Sequence, residues 1–331
     1  MYKLKTIPED FIVKEIIQIR AETNGQYAYF LLKKTDYSTV RALEVLSEKL
    51  KIPLKNFGFA GNKDKNAVTE QKISIFRGSK SFESINLNNI ELRYLGNGKE
   101  PIYLGDLEGN EFIITIRNLD GKDLKKIKIF QNKNIKIPNL FGPQRFSRNN
   151  YHVGKAIIKK DFRKAVGLLL ENNGNAEEEI NEYLKKNQND FVGALRLIPL
   201  KTRKLFVHSY QSFLFNKIAD EYLKQNKAKV NMQIPIIGFN FEIDAIKNIP
   251  LKNIIKKLLN EEKISARDFI ISQMPELTSE GNFRDLFFEL KGLKIMEISN
   301  DDLNPNKQKI KINFILPKSC YATTAIEFIF R

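Results

Sequence analysis

Residues 57–71 read Phe57-Gly58-Phe59-Ala60-Gly61-Asn62-Lys63-Asp64-Lys65-Asn66-Ala67-Val68-Thr69-Glu70-Gln71. A strand-like piece, Asn56 to Ala60, gives way to a charged turn from Gly61 to Asn66, and a second strand is expected near Gln71 to Phe76. Taken alone, a Gly-Asn-Lys-Asp-Lys-Asn stretch is an ordinary exposed connection. What gives it weight lies on either side.

Toward the N-terminus the chain alternates in strand fashion. Phe11 and Val13, then Ile17 and Ile19, flank charges, and Tyr27 to Leu32 forms a second apolar run. Asp36 or Ser38 can cap a helix whose apolar positions Val40, Leu43, Leu46 and Leu50 recur every three to four residues, ending before Pro53. Beyond the turn, Asn86, Asn88, Asn89 and Gly96 to Gly98 suggest loops, and Phe112 to Arg117 a strand introduced by Gly105 and Gly109-Asn110. Short strands with intermittent helices indicate an α+β core on a mostly antiparallel sheet. The middle is different: amphipathic helices are expected over Val153–Leu170, Glu177–Lys186 and Leu205–Leu223, then alternating strands and helices from Val230 to about Leu259. Strands return at Ile310–Leu316 and Thr324–Phe330, the latter with Ile326, Phe328 and Phe330 on one face. The expected organisation is a discontinuous core, 1–159 with 293–331, carrying an inserted α/β domain at 160–292.

Composition narrows the function. The 331-residue chain carries 24 Phe and 11 Tyr, ample for a packed core. No apolar run approaches the length of a membrane span. Met1-Tyr2-Lys3-Leu4-Lys5 lacks the apolar core and cleavage site of a secretion signal, so a cytoplasmic protein is expected. A single cysteine, Cys320, rules out an internal disulfide, and two histidines, His152 and His208, exclude a Cys/His zinc cage. The formal net charge of +16 attracts polyanions. It is also segregated: Arg145, Arg148, Lys155, Lys159, Lys160, Arg163 and Lys164 crowd one stretch against Asp161 alone, while Glu177, Glu178, Glu179 and Glu182 make an acidic helix face. Segregation favours an oriented nucleic-acid footprint over uniform solvation.

No cofactor fingerprint is present. The Gly61-Asn62-Lys63 turn lacks the GxxxxGK[ST] frame, and neither GxGxxG, HExxH nor GxSxG occurs. Neither a cofactor nor a metal is expected, so the chemistry falls to carboxylates, lysines and rings.

Residues 57–71 closely resemble the signature of the TruD pseudouridine synthases, in which the aspartate matched by Asp64 is the catalytic nucleophile. Other segments agree in order. Pro8-Glu9-Asp10-Phe11-Ile12-Val13-Lys14-Glu15 is similar to the family's first block, with Lys5 at the spacing of its active-site lysine. Residues 138–146, Pro138-Asn139-Leu140-Phe141-Gly142-Pro143-Gln144-Arg145-Phe146, resemble the second. Ser209-Tyr210-Gln211-Ser212-Phe213-Leu214-Phe215-Asn216, Leu316-Pro317 and Tyr321-Ala322-Thr323 match later ones. The resemblance spans nearly the whole chain, and its middle is similar to the archaeal branch. It departs at Ser147, where glycine usually closes the second block, and at Ser319-Cys320, where Gly-Ser is usual. It implies a pseudouridine-synthase core with a mostly antiparallel mixed sheet flanked by helices, plus the inserted TRUD domain forming one wall of an RNA-binding cleft.

The implied reaction breaks the N1–C1′ bond of uridine and rejoins the base through C5, without redox change or group donor. A carboxylate can serve as nucleophile at C1′ or at uracil C6, and residue types do not choose between them. It must stay ionised in a partly dry pocket, which calls for a cation. The resemblance places Lys5 there, as that partner or as a phosphate clamp. The base must be flipped out, and aromatic stacking, worth about 1–3 kcal/mol per base, offsets the cost. By the same resemblance Phe141 lines the pocket with Asn139 hydrogen-bonding nearby, Tyr321 adds a wall, and Phe11 and Glu15 support the site. Lys63, Gln144, Arg145, Arg148 and Lys155 are the expected RNA contacts. The family's usual target is position 13 of tRNA, with position 35 in some archaeal substrates; no protein partner is implied, and a monomer is expected. The competing class is an RNA-binding or RNA-folding protein on the same scaffold that does not depend on turnover.

Overall fold

The alternating apolar residues near the N-terminus form strands, and their side-chain period dictates which face of the sheet they line. The computed structural model describes residues 1–171, 177–226 and 231–330. The chain runs through β1 (Phe11–Ile16), β2 (Tyr27–Thr35), α1 (Thr39–Leu50), β3 (Phe57–Phe59), β4 (Val68–Phe76), β5 (Ile90–Gly98), β6 (Gly109–Leu119), α2 (Gly121–Ile129) and β7 (Ile135–Pro138). Helices α3 (Asn150–Ile158), α4 (Phe162–Leu170), α5 (Glu177–Lys186), α6 (Phe191–Arg196) and α7 (Leu200–Gln225) follow, then β8 (Gln233–Ile236), α8 (Ile249–Glu262) and β9 (Asn282–Asp285). The return leg is β10 (Phe287–Asn300), β11 (Gln308–Pro317) and α9 (Ala322–Phe330).

Two compact units result: Met1–Ile137 with Phe288–Arg331, and Pro138–Phe287. The first is the expected α+β core. Its nine-stranded sheet has the order β5-β2-β4-β1-β6-β11-β10-β7, with β3 pairing on β4. β1 and β4 run parallel, while β1–β6, β6–β11, β10–β11, β2–β4, β2–β5 and β3–β4 are antiparallel. α1 lays Ala42, Leu43 and Leu46 against Phe30, Leu32, Ile73 and Ile75. It starts where the sequence indicates, with the Ser38 side chain accepting from the Arg41 N–H. Under the other half of the sheet, α9 buries Ala322, Ala325, Ile326, Ile329 and Phe330 with Ile114, Ile312 and Phe314.

Three expectations are corrected. Residues 322–330 form a helix, not a strand, because the buried positions recur at three- and four-residue intervals. The loop expected at Gly96 to Gly98 is the end of strand β5: Gly98 lies against the Tyr29 ring, where a Cβ would come within 2.1 Å of the hydroxyl, so it permits a close approach instead of a turn. The expected helix 153–170 is two helices, broken where Lys160 takes a left-handed φ of 59° and the Asp161 carboxylate caps α4 through the Lys164 N–H. The second unit is mainly helical, its one described sheet being the antiparallel pair β8–β9, and β8 followed by α8 agrees with the alternation expected from Val230 to about Leu259.

The unit boundary also falls at 137/138, ahead of the expected 159/160. Residues 138–159 pack with the helical unit, since α3 contributes Val153, Ala156, Ile157 and Ile158 to a core shared with Phe206, Tyr210 and Leu214 of α7. Among the described residues, no helix is long and apolar enough to cross a membrane.

Candidate active site

Parallel pairing of β1 with β4 brings the chain ends that precede both strands to one edge of the sheet. Ile12 lies beside Val68, so the segment before β1 and the 61–67 connection before β4 arrive together. This is why Lys5 and Asp64, fifty-nine positions apart, meet: the Lys5 ammonium donates to the Asp64 carboxylate at 2.5 Å. The lysine side chain is 16 % exposed and the carboxylate 51 %, so the pair opens to solvent on the acid's side. Lys5 also sits 4.1 Å above the centroid of Phe11, a buried ring set edge-on to Phe112.

The backbone around Lys5 is held from behind. Lys3 bridges to Arg117 at the end of β6, and a 3-10 turn at Pro8–Asp10 separates it from β1. Between them Lys5 takes a left-handed φ of 55°. The buried Arg117 guanidinium donates to Asp10, Asp301 and Asp302, each at 2.9 Å, tying the first block to the connection after β10.

Lys63 and Glu15 are drawn together as well, but not as expected. The Lys63 ammonium donates to Glu15 at 2.5 Å, with side-chain exposures of 5 % and 0 %. Glu15 also accepts from the Lys72 N–H at 3.2 Å. Lys63 is therefore engaged inside the protein, anchoring the loop on β1, and Glu15 is its counter-ion. Tyr321 is half-buried in the same unit as Asp64; it directly precedes α9, where its carbonyl accepts from Ala325. Its place in the site rests on the resemblance alone.

The second unit carries its own cluster. Buried Asn139 donates its backbone N–H to Leu286, and Arg284 grips its two oxygens, Nε on the backbone carbonyl at 3.0 Å and Nη2 on the side-chain carbonyl at 2.5 Å. With that oxygen taken, the amide NH2 of Asn139 is the end suited to donate to a base carbonyl. The Arg284 guanidinium lies 4.4 Å from the Phe141 ring centroid, and Phe215 meets that ring edge-on at 5.4 Å. Asn216 closes both backbone groups of Phe141, each at 2.9 Å. The ring is thus oriented through its backbone and its face.

Of the expected RNA contacts, Arg145 is half-buried, with Nε donating to Ser212 at 3.2 Å and the guanidinium 5.8 Å from Phe141. Gln144 is exposed in the 3-10 turn Pro143–Asn149. The side chain of Arg148 lies outside the described ones. Lys155 pairs with Glu262 at 2.7 Å and Lys160 with Asp268 at 3.6 Å, so part of the basic run is neutralised within the unit. Ser147, which stands for a family glycine, donates its hydroxyl to the Gln144 carbonyl at 3.1 Å. Ser319, which stands for another, holds a left-handed φ of 65°, the conformation that accounts for glycine being usual there.

Sequence reasoning missed Lys34, Thr39 and Arg284. Lys34 left one signal: it continues the alternation Ala28, Phe30, Leu32 and so falls on the buried face of β2. Burial draws its ammonium down to a pKa of about 8, against the pull of the Asp64 carboxylate and with help from Lys63. Among the described residues no group of three or more His, Cys, Asp or Glu could hold a metal ion.

The family model described as tRNA pseudouridine synthase D (TruD) matches residues 2–183, 169–230 and 223–327. A Methanosarcina acetivorans protein named probable tRNA pseudouridine synthase D is 30 % identical, the match covering 98 % of this chain and 91 % of that one. The tRNA pseudouridine synthase D of Aquifex aeolicus is 29 % identical over 99 % of this chain and 98 % of its own. The crystal structure of the TruD protein of Methanosarcina mazei superposes with a TM-score of 0.77 at 30 % identity, covering 99 % of this chain and 93 % of that one.

Proposed function

The chain belongs to the TruD family of tRNA pseudouridine synthases, and from that premise we propose that it isomerises uridine to pseudouridine at position 13 of tRNA, and at position 35 in some tRNAs. The observation that carries the reading is the pairing of Lys5 with Asp64. An exposed carboxylate held by an adjacent, partly desolvated ammonium is poised as an ionised nucleophile. In this reading Asp64 attacks the flipped nucleotide at C1′ or at C6, and Lys5 holds its carboxylate in place until attack. Phe141 and Asn139 are the residues that the resemblance assigns to a flipped uracil, by stacking and by an amide hydrogen bond.

The helical unit, the inserted domain of this reading, supplies further RNA contacts. Beside Arg145, the ring of Tyr151 stacks on Phe213 at 4.7 Å, and the Lys217 ammonium lies 5.7 Å from the Phe213 centroid. Rings alternating with cations suit a single-stranded nucleic-acid segment. The enzyme works in the cytoplasm as a monomer without cofactor. An RNA-folding protein that never turns over has no use for a paired, half-exposed carboxylate, which favours the enzyme. A pseudouridine map of tRNA from cells with and without the gene tests the assignment. Loss of the modification at position 13 is expected; an unchanged map contradicts it.

A further inference from the structure

The loop that presents Asp64 is held from inside the protein by three side chains that never reach the surface. Thr39 accepts the Lys63 N–H on its hydroxyl oxygen at 2.8 Å and donates that hydroxyl to the Gln71 side-chain carbonyl, also at 2.8 Å. The Gln71 amide donates to the Gly61 carbonyl at 3.2 Å. The Lys34 ammonium donates to the Asp64 carbonyl at 3.1 Å and to the Tyr37 carbonyl. Lys34, Thr39 and Gln71 are each 0 % exposed. They come from three elements, the end of β2, the first turn of α1 and the middle of β4, so the loop is fixed to rigid structure at Gly61, Lys63 and Asp64.

A surface turn needs no such anchoring. Its backbone groups can take water at no cost, whereas burying a lysine, a threonine and a glutamine is unfavourable unless every polar group is satisfied. We infer that Lys34, Thr39 and Gln71 form a positioning clamp that fixes the backbone of the nucleophile, an inference that rests on the reading of Asp64 as that nucleophile. The clamp acts through Asp64 and touches no substrate. Lys5 holds the carboxylate while the clamp holds the backbone beneath it. Only the combination fixes both the side chain and the backbone of the acid.

The test uses the full chain and single-turnover rates on tRNA with saturating enzyme, which report the folded fraction alone. Thr39→Val keeps the shape of the side chain and removes the hydroxyl, Thr39→Ser restores it, and Lys34→Met removes the ammonium. Thr39→Val and Lys34→Met are expected to slow the rate constant by about 10- to 100-fold with tRNA affinity retained, because small misplacements of a reacting group are that costly. Thr39→Ser is expected to recover most of the rate lost in Thr39→Val. Full rates in Thr39→Val and Lys34→Met, or a Thr39→Ser as slow as Thr39→Val, overturn the clamp. Asp64→Asn is assayed beside them. If it is inactive while the clamp variants keep full rates, the clamp alone is wrong; if it stays active, the nucleophile assignment fails and the clamp falls with it.

Discussion

Lys63 and Glu15 form an ion pair inside the protein, one residue before the exposed Asp64. A charge so buried tolerates no loss of its partner. Glu15→Gln leaves the Lys63 ammonium unneutralised and should cost about 3–5 kcal/mol of stability, read as a shift of the urea midpoint. The double variant Glu15→Gln/Lys63→Met should recover much of that loss. A Glu15→Gln variant as stable as the parent would contradict the burial of the pair.

Lys5 acts on the same loop through the Asp64 carboxylate. Lys5→Met removes the cation beside Asp64, and kcat is expected to fall about 100-fold, the scale of losing one electrostatic stabiliser. KM for tRNA should hardly move. A raised KM with kcat intact, together with a shallower dependence of affinity on salt, would instead make Lys5 a phosphate clamp.

The pH dependence of Lys34 carries opposite signs for stability and rate. Its ammonium, lowered to about 8, faces the Tyr37 and Asp64 carbonyls, the Asp64 carboxylate and the like charge of Lys63. Between pH 8 and about 10.4 the unfolded chain holds this proton and the folded chain has released it, so stability attributable to Lys34 rises with pH. As pH rises through about 8 the cation beneath Asp64 is lost, and kcat should decline there. Paired melting curves and rate profiles of the parent and Lys34→Met read the difference. Identical profiles in the two proteins would sink this assignment.

Arg284 should matter through geometry more than charge. Its fork spans both oxygens of Asn139 while its plane lies on Phe141. A lysine keeps the charge and loses both features. Arg284→Lys is therefore expected to lower kcat/KM about tenfold, the scale of one lost charge-assisted hydrogen bond. Parental kinetics in Arg284→Lys would show that Asn139 and Phe141 need no such support.

The sequence exposed those elements whose periodicity was unambiguous. α1 announced its cap and its stripe, and β4 and β6 the turn-prone residues that precede them. Residues 322–330 misled because Ile326, Phe328 and Phe330 recur at every second position, so the strand period fits as readily as the helical one. Gly98 resembled turn punctuation because the ring it accommodates, Tyr29, lies far away in sequence. The same distinction governs the site. Asp64, Lys5, Asn139 and Phe141 stand in blocks readable by resemblance, whereas the groups that hold them, Lys34, Thr39 and Arg284, act across the fold. Lys63 looked like an RNA contact because a lysine in a polar turn is normally exposed, and only the approach of Glu15 on β1 reverses that.

The central claim, that Asp64 is the nucleophile, is tested most directly by Asp64→Asn, assayed for tritium release from [5-³H]uridine-labelled tRNA and, in parallel, for tRNA binding. The substitution keeps the side chain's size and removes its charge. Release should vanish while binding persists at the parental level. Release at the parental rate would contradict the assignment outright.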